Sequence, residues 1–226
     1  MKRGGTDDQK RRAAESAADA VESGTTVGLG TGSTAGFAID YLGDRIDDGL
    51  DITGIPTSYQ SRQRAREAGI PLVTLDDEQP DIAIDGADQF AGTTLIKGGG
   101  AAHAREKIVD SAADRLLIVA DPTKEAEALN HPVPVEVLPD ARPTVSARVA
   151  DLDGKAQLRA AERKDGPVVT DNGNLVLDCA FGVIDSPETL AAQLSAIPGV
   201  VEHGLFVGLA DEIHVGTADE VRIRTE

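Results

Sequence analysis

"TVGLGTGSTAGFAIDYLGDRI", Thr26 to Ile46, is the stretch whose reading decides the fold. Its first five residues form a short apolar run suited to a buried strand, Gly28 to Thr34 make a glycine-rich turn, and the remainder continues as a helix. Upstream, the residues through Glu22 read as a helix, with Ala13, Ala14, Ala17, Ala18 and Val21 at helical spacing and "SGT" as its end. Downstream the alternation repeats. "LDITGIPTS" is strand to loop, "YQSRQRAREAG" helix, "IPLVTL" a short strand and "DIAIDGAD" strand to loop. "GGAAHAREKIVDSAA" follows as a helix, "RLLIVAD" as a buried strand and "PTKEAEAL" as a turn with a short helix. Helices between short β-branched strands predict a mostly parallel sheet.

The texture changes in the proline-rich passage from Pro132 to Pro143, which marks a boundary. Beyond it "TVSARVADL" reads as strand and "KAQLRAA" as a polar segment or strand. "PVVTDNGNLVLDCAF" reads as a hairpin through Asn172 and Gly173, and "SPETLAAQLSAI" as a helix. This part is α+β in character. "GVVEHGLFVGLADEIHVGT" supplies two apolar runs able to return to the first sheet.

Charge narrows the function classes. Against 39 Asp+Glu stand 22 Lys+Arg, a formal net charge of −17, which argues against general binding to a phosphate backbone and so against nucleic acid. The acidic excess is spread along a lysine-poor chain, and we expect a host with a salty cytoplasm, where screening removes the self-repulsion. No window approaches the apolar length of a membrane-spanning helix, and "MKRGGTDDQKRR" lacks the apolar segment of a secretory signal, so a cytoplasmic location is expected. Cys179 stands alone, which excludes an intramolecular disulfide and a cysteine-based zinc cluster; in "NLVLDCAF" it reads as a buried small hydrophobe.

Any anionic ligand therefore has to be met by a local site. "GLGTGST", Gly28 to Thr34, brings backbone N–H groups close to a ligand, and Ser33 and Thr34 add hydroxyls at a helix start whose amides favour an anion. A phosphate monoester on a small molecule fits it; a purely steric turn is the alternative. No Gly-Lys-Ser/Thr closes the turn, so it is not a Walker A loop, and Ser33 stands where the last glycine of a dinucleotide fingerprint would fall. "DIAIDGADQF" places Asp85 and Asp88 just after an apolar strand, where open α/β sheets bind ligands, although aspartate also serves turns for backbone reasons. Lys97 ends "TTLIK" before Gly98, Gly99 and Gly100, a run that can lie against a ligand while the ammonium holds an anion or a developing oxyanion. With Ala101 onward expected to be helical, Glu106 falls more than one turn into that helix; the alternative is a surface ion-pairing carboxylate. His103 faces solvent, packs, or approaches the pocket, and the other histidines, His131, His203 and His214, are far apart in sequence, so no histidine metal site is expected. Lys124, in "ADPTK" after a core strand, either meets an anion or faces solvent.

Taken together, "GLGTGST", "GIPTS", "GIPL", "IDGAD", "LIKGGGAA", "REK", "PVPVEV", "DNGN" and "IPGVVEHGLF" occur in order from Val27 to Phe206, and in this the chain resembles the ribose-5-phosphate isomerase A family. The resemblance implies an α/β fold: an open, mostly parallel, Rossmann-like sheet domain, residues 1–130 with 206–226, and a smaller inserted α+β domain, residues 131–205. It implies interconversion of D-ribose 5-phosphate and D-ribulose 5-phosphate in the pentose phosphate pathway, with no metal and no organic cofactor, by dimers or tetramers. Carried onto this chain, Thr31, Gly32, Ser33 and Thr34 belong to the substrate-binding loop. Asp85, Gly86, Ala87 and Asp88 line the pocket with Lys97, Gly98, Gly99 and Gly100. Glu106 matches the catalytic base and Lys124 the lysine after the later strand. Gln89 departs from the family's usual acid, His103 from an apolar residue, and Thr123 from a serine that shares its hydroxyl.

Such an isomerase must open a sugar ring, take a proton from C2 and return it at C1 through an enediol, and one carboxylate suffices for the shuttle. Glu106 is the residue expected to carry it. Asp85 or Asp88 would assist ring opening, and Lys97 would stabilise the enediolate oxygen or orient the substrate. A non-catalytic sugar-phosphate or nucleotide sensor, a deaminating sugar-phosphate isomerase and a coenzyme A transferase are the competing readings.

Overall fold

The computed structural model describes residues 5–225. In chain order, α1 (Asp7–Ala18) leads to β1 (Thr25–Leu29), α2 (Ser33–Asp47), β2 (Ile52–Pro56), α3 (Tyr59–Glu67) and β3 (Ile82–Gly86). A hairpin of β4 (Gln89–Ala91) and β5 (Thr94–Ile96) precedes α4 (His103–Ala112), β6 (Arg115–Ala120) and a 3-10 turn at Pro122–Lys124. There follow β7 (Val133–Val137), α5 (Arg142–Asp151), β8 (Lys155–Leu158), β9 (Leu175–Ala180) and α6 (Pro187–Ser195). The last elements are β10 (Val200–His203), β11 (Leu205–Phe206), β12 (Glu212–Gly216) and β13 (Val221–Arg224). Two compact units result. The first holds the chain up to Ala87, Arg105–Glu125 and the residues from Gly208 onward; the second holds Asp88–Ala104 and Ala126–Val207.

The first unit is built on a six-stranded sheet in the order β13-β12-β6-β3-β1-β2, parallel except for β13, which runs antiparallel to β12. The chain steps from β1 out to β2 and then back past β1 to β3, so the strand order reverses between β1 and β3. Open α/β sheets bind ligands outside the carboxyl ends of strands at such a reversal. Val27, Leu29, Ile39, Leu42, Ile84, Leu117 and Val119 are buried in one cluster, each contributing about 1.5–3 kcal/mol on removal from water. Helix α1 begins at a capping box, with the Gln9 N–H donating to the Thr6 hydroxyl (3.3 Å) and the Thr6 N–H to the Gln9 side chain (2.9 Å). Its fully buried face is made only of Ala13, Ala14, Ala17 and Ala18, and such short side chains let it lie close against α2 and β12.

The second unit has a four-stranded antiparallel sheet, β10-β7-β9-β8, and a three-stranded one, β11-β5-β4. Val133, Val135 and Val137 of β7 join Val145 and Val149 of α5 and Leu190 and Leu194 of α6 in its core. Alternation puts Glu136 on the other face of β7, where one carboxylate oxygen accepts from Thr170 (2.9 Å), Asn172 (3.0 Å) and Asn174 (2.8 Å). These bonds fasten the Asn172–Gly173 turn that the sequence predicts. The smaller unit is wider than residues 131–205, because the β4–β5 hairpin ladders with β11 through Leu205↔Ile96 and Phe206↔Leu95.

Three local readings change. "TVSARVADL" is helical and not a strand: Pro143 stands at the first turn of α5, and Val145 and Val149, four apart, turn to one buried face. "IPLVTL" makes only an isolated bridge from Leu72 to Gly54. Of the closing apolar runs only Glu212–Gly216 returns to the first sheet, while Val200–His203 pairs with β7 and Leu205–Phe206 with β5.

Candidate active site

The first unit gathers several of the expected residues at the carboxyl edge of its sheet. Beyond the register pair Leu29↔Ile84, Gly30 lies against Asp85: a Cβ on Gly30 would come within 2.3 Å of the Asp85 carboxyl carbon, so only glycine fits. Asp85 is fully buried, and its Oδ1 accepts from the N–H groups of Thr31 (3.0 Å) and Gly86 (2.6 Å). The carboxylate is thus held rigidly by the very turn it faces. The Thr31 hydroxyl lies 2.8 Å from that of Thr57 and 2.7 Å from that of Ser58, which ties the turn to the carboxyl end of β2.

Gly32 stands at the N-cap of α2 with φ +108°, a conformation that glycine adopts without strain. It offers no side-chain cap, and the first turn of α2 carries no acidic residue, an arrangement of helix-end amides that favours an anion. Ser33 is exposed and Thr34 half-buried at this end. Lys124 ends the 3-10 turn that follows β6, beside β3 through the register pair Gly86↔Val119. Asp121 fixes that turn, its Oδ1 accepting from the Thr123 N–H at 2.9 Å while its backbone carbonyl accepts from the Lys124 N–H at 3.1 Å.

Glu106 sits differently from expectation. Gly98 and Ala101 both have positive φ, and the Ala101 N–H closes a turn onto the Gly98 carbonyl (3.0 Å), which delays the start of α4 to His103. Glu106 therefore lies in the first turn of α4, where the free amide ends of the helix favour a carboxylate. It is 5% exposed, which rules out the surface ion-pair reading. Val109, three residues on and so on the same face, lies where a Cβ on Gly28 would meet it at 2.9 Å. That contact turns the Glu106 face of α4 toward β1. His103 is fully buried and packs, with its ring Nε2 3.4 Å from the Glu202 carbonyl.

The second unit holds Asp88, Lys97 and the Gly98–Gly100 turn. Asp88 donates its N–H to the Ile96 carbonyl (2.8 Å), and its Oδ2 accepts from the Gly99 N–H (2.5 Å). Lys97 is 1% exposed, donates its N–H to the Gly204 carbonyl (2.8 Å) and stacks its ammonium 5.3 Å from the centre of the Phe206 ring. Gly99 and Gly100 are exposed while Gly98 is buried, and Gly86 and Ala87 are half-buried. Gln89, the departure from the family pattern, receives the N–H groups of Asn130 and His131 on its side-chain oxygen (2.8 Å each), so an amide meets a structural demand there.

Sequence reasoning passed over Thr57 and Ser58 as site residues, although Ser58 announces itself as the cap of α3. Among the described residues, no group of three or more His, Cys, Asp or Glu is placed to hold a metal ion, and no helix is long and apolar enough to cross a membrane.

A buried carboxylate held by a glycine turn, at the reversal point of an open, mostly parallel sheet, is the layout of an α/β protein that binds a ligand at the carboxyl ends of its strands. The profile of the family described as ribose 5-phosphate isomerase A (phosphoriboisomerase A) matches residues 53–220. A ribose-5-phosphate isomerase A from Haloarcula marismortui is 68% identical over 225 residues, spanning 100% of this chain and 99% of its own. One from Natronomonas pharaonis is 70% identical over 221 residues, 98% of each chain. Among solved structures, ribose 5-phosphate isomerase A of Methanocaldococcus jannaschii superposes with a TM-score of 0.95 at 42% identity, covering 98% of this chain and 100% of that one. A D-ribose-5-phosphate isomerase in complex with phospho-erythronic acid gives 0.96 at 39% identity, with the same coverage. The chain belongs to the ribose 5-phosphate isomerase A family and is an isomerase. Its acidic composition is of the salt-adapted kind that the haloarchaeal relatives suggest.

Proposed function

We propose that this chain interconverts D-ribose 5-phosphate and D-ribulose 5-phosphate in the non-oxidative pentose phosphate pathway, with Glu106 as the proton shuttle. The observation that carries the assignment is a buried carboxylate in the first turn of α4, in a chain of this family. The substrate phosphate is assigned to the amides at the start of α2, the hydroxyls of Thr31, Ser33 and Thr34, and the ammonium of Lys124. Anchoring the end that does not react lets binding energy orient the end that does. Gly32, Gly86, Ala87 and the Gly98–Gly100 turn are assigned to substrate contact, where backbone groups suit sugar hydroxyls.

Asp85 or Asp88 assists ring opening by moving the proton of the O1 hydroxyl while the ring oxygen gains one. Glu106 then takes the C2 proton of the open aldose, the electron pair moves into a C1–C2 double bond, and negative charge develops on the C1 oxygen. Lys97 stabilises that oxygen, worth about 3 kcal/mol for one such donor. A proton passes from the C2 hydroxyl to the C1 oxygen, the C2–O bond becomes the carbonyl as the C1–C2 double bond is given up, and return of the proton from Glu106 to C1 completes the ketose. The relative solved in complex with phospho-erythronic acid supports an anionic phosphorylated ligand.

The test is direct conversion of ribose 5-phosphate by the purified chain in molar salt. Glu106→Gln should fold and bind the sugar phosphate while kcat falls by about 10²–10⁴-fold, the usual contribution of a general base. A folded variant with undiminished kcat would remove Glu106 from the chemistry. We further propose a cytoplasmic homodimer or homotetramer, on the family resemblance and on the exposed apolar Tyr59 and Ile108 of the first unit. Light scattering in molar salt checks the assembly, and a monomeric mass refutes it.

A further inference from the structure

Arg159, just past β8, is tied into the second unit by its own backbone, its N–H donating to Val176 and its carbonyl accepting from Val168, both at 2.9 Å. Its side chain is only 15% exposed and makes two sets of bonds. Nε and Nη2 grip the two carboxylate oxygens of Asp178 on β9, the Nε bond being 3.0 Å long. Nη1 donates to the Gly98 carbonyl at 2.8 Å and to the Gly99 carbonyl at 3.3 Å.

The peptide joining Gly98 to Gly99 is therefore held at both ends: its carbonyl by Arg159, its N–H by Asp88 at 2.5 Å. A trans peptide points its C=O and N–H in opposite directions. All peptides described are trans, so the next one, with the Gly99 carbonyl on the same guanidinium, aims the Gly100 N–H away from Arg159 and toward the side of Asp88. Arginine is required for this, because a planar fork can satisfy a carboxylate with one edge and carbonyls with its remaining nitrogen, whereas an ammonium is a single point of charge.

We propose that Arg159 and Asp178 are a positioning pair for the isomerase reaction: anchored on a rigid sheet, they orient the turn after Lys97 so that the Gly100 N–H serves as a pre-aimed hydrogen-bond donor to the substrate. Neither side chain touches the sugar. The assignment rests on the isomerase reading above and adds a residue pair to it.

The experiment measures kcat, KM and melting temperature in molar salt for Arg159→Met, Arg159→Lys, Arg159→Ala and Asp178→Asn. Arg159→Met should lower kcat at least about tenfold while KM stays within about threefold, since a misplaced donor weakens the transition state more than the ground state. Arg159→Lys should lose nearly as much, although it keeps the charge. Asp178→Asn, with one acceptor oxygen left, should fall between these and the wild type. Millimolar guanidinium should restore part of the kcat of Arg159→Ala, a recovery that a merely structural role does not produce. If Arg159→Met fails to fold, Arg159→Lys decides. Wild-type kcat in Arg159→Lys overturns the positioning role alone, whereas a wild-type chain without turnover sinks the isomerase reading itself.

Discussion

His214 on β12 is 2% exposed, with its Nδ1 2.9 Å from the Ser16 hydroxyl of α1 and its Nε2 3.3 Å from a Glu212 carboxylate oxygen. Burial pushes its pKa below the ordinary histidine value; the hydrogen bond and charge of Glu212 oppose this, and the Arg115 charge adds to it. A depressed base means that the unfolded chain takes up a proton before the folded one does. Stability on this account is complete above about pH 6.5 and declines as pH falls through the lowered folded value. His214→Gln should flatten that limb of a plot of melting temperature against pH, and an unchanged slope would clear His214. Burial acts on Cys179 as well, raising its thiol to about 12, so it is a packing residue at neutral pH, as its sequence neighbours suggest. What the sequence does not disclose at this scale is burial of charge. Lys97, Asp85 and Glu106 are each legible as candidates from their neighbours, yet nothing local tells that all three are enclosed.

At the scale of elements, two helix starts are built for opposite purposes. Thr6 and Gln9 close the start of α1, and Thr6→Ala should cost about 1 kcal/mol, read as a lowered melting temperature with kinetics unchanged. Gly32 leaves α2 open. Gly32→Ala should cost about 1–3 kcal/mol because φ +108° strains any other residue, and it should also raise KM for the phosphorylated sugar. Strain without a KM change would detach α2 from substrate binding. The parallel sheet was legible because each apolar run ends in a glycine or turn signal, as at "GLGTGST" and "IDGAD". Helix α5 was not, since its two buried valines favour a strand when taken singly, and the cue that reverses them, Pro143, also serves as a breaker. The late start of α4 depends on Ala101 at φ +60°, which no residue preference announces.

For the whole molecule, a net charge of −17 makes stability a function of ionic strength. Unfolding midpoints should rise steadily from dilute buffer to molar salt, where the screening length shrinks to about 3 Å. A flat dependence would make the acidity incidental. The close contacts described above survive such conditions, because Arg159 meets Asp178 at hydrogen-bond distance and mostly out of water. The assignment of Asp88–Ala104 to the second unit is not legible in the sequence, because it arises from a ladder to β11, more than a hundred residues later. One flank of the larger sheet carries a last consequence. In brine, molecules no longer hold one another off at a distance, and a bare strand rim invites them to zip together into aggregates. Strand β13 presents Arg222 and Arg224 along that rim, clasped to Glu220 and Glu125, and so blunts the seam where a crowded, salt-rich cell would otherwise stitch one copy to the next.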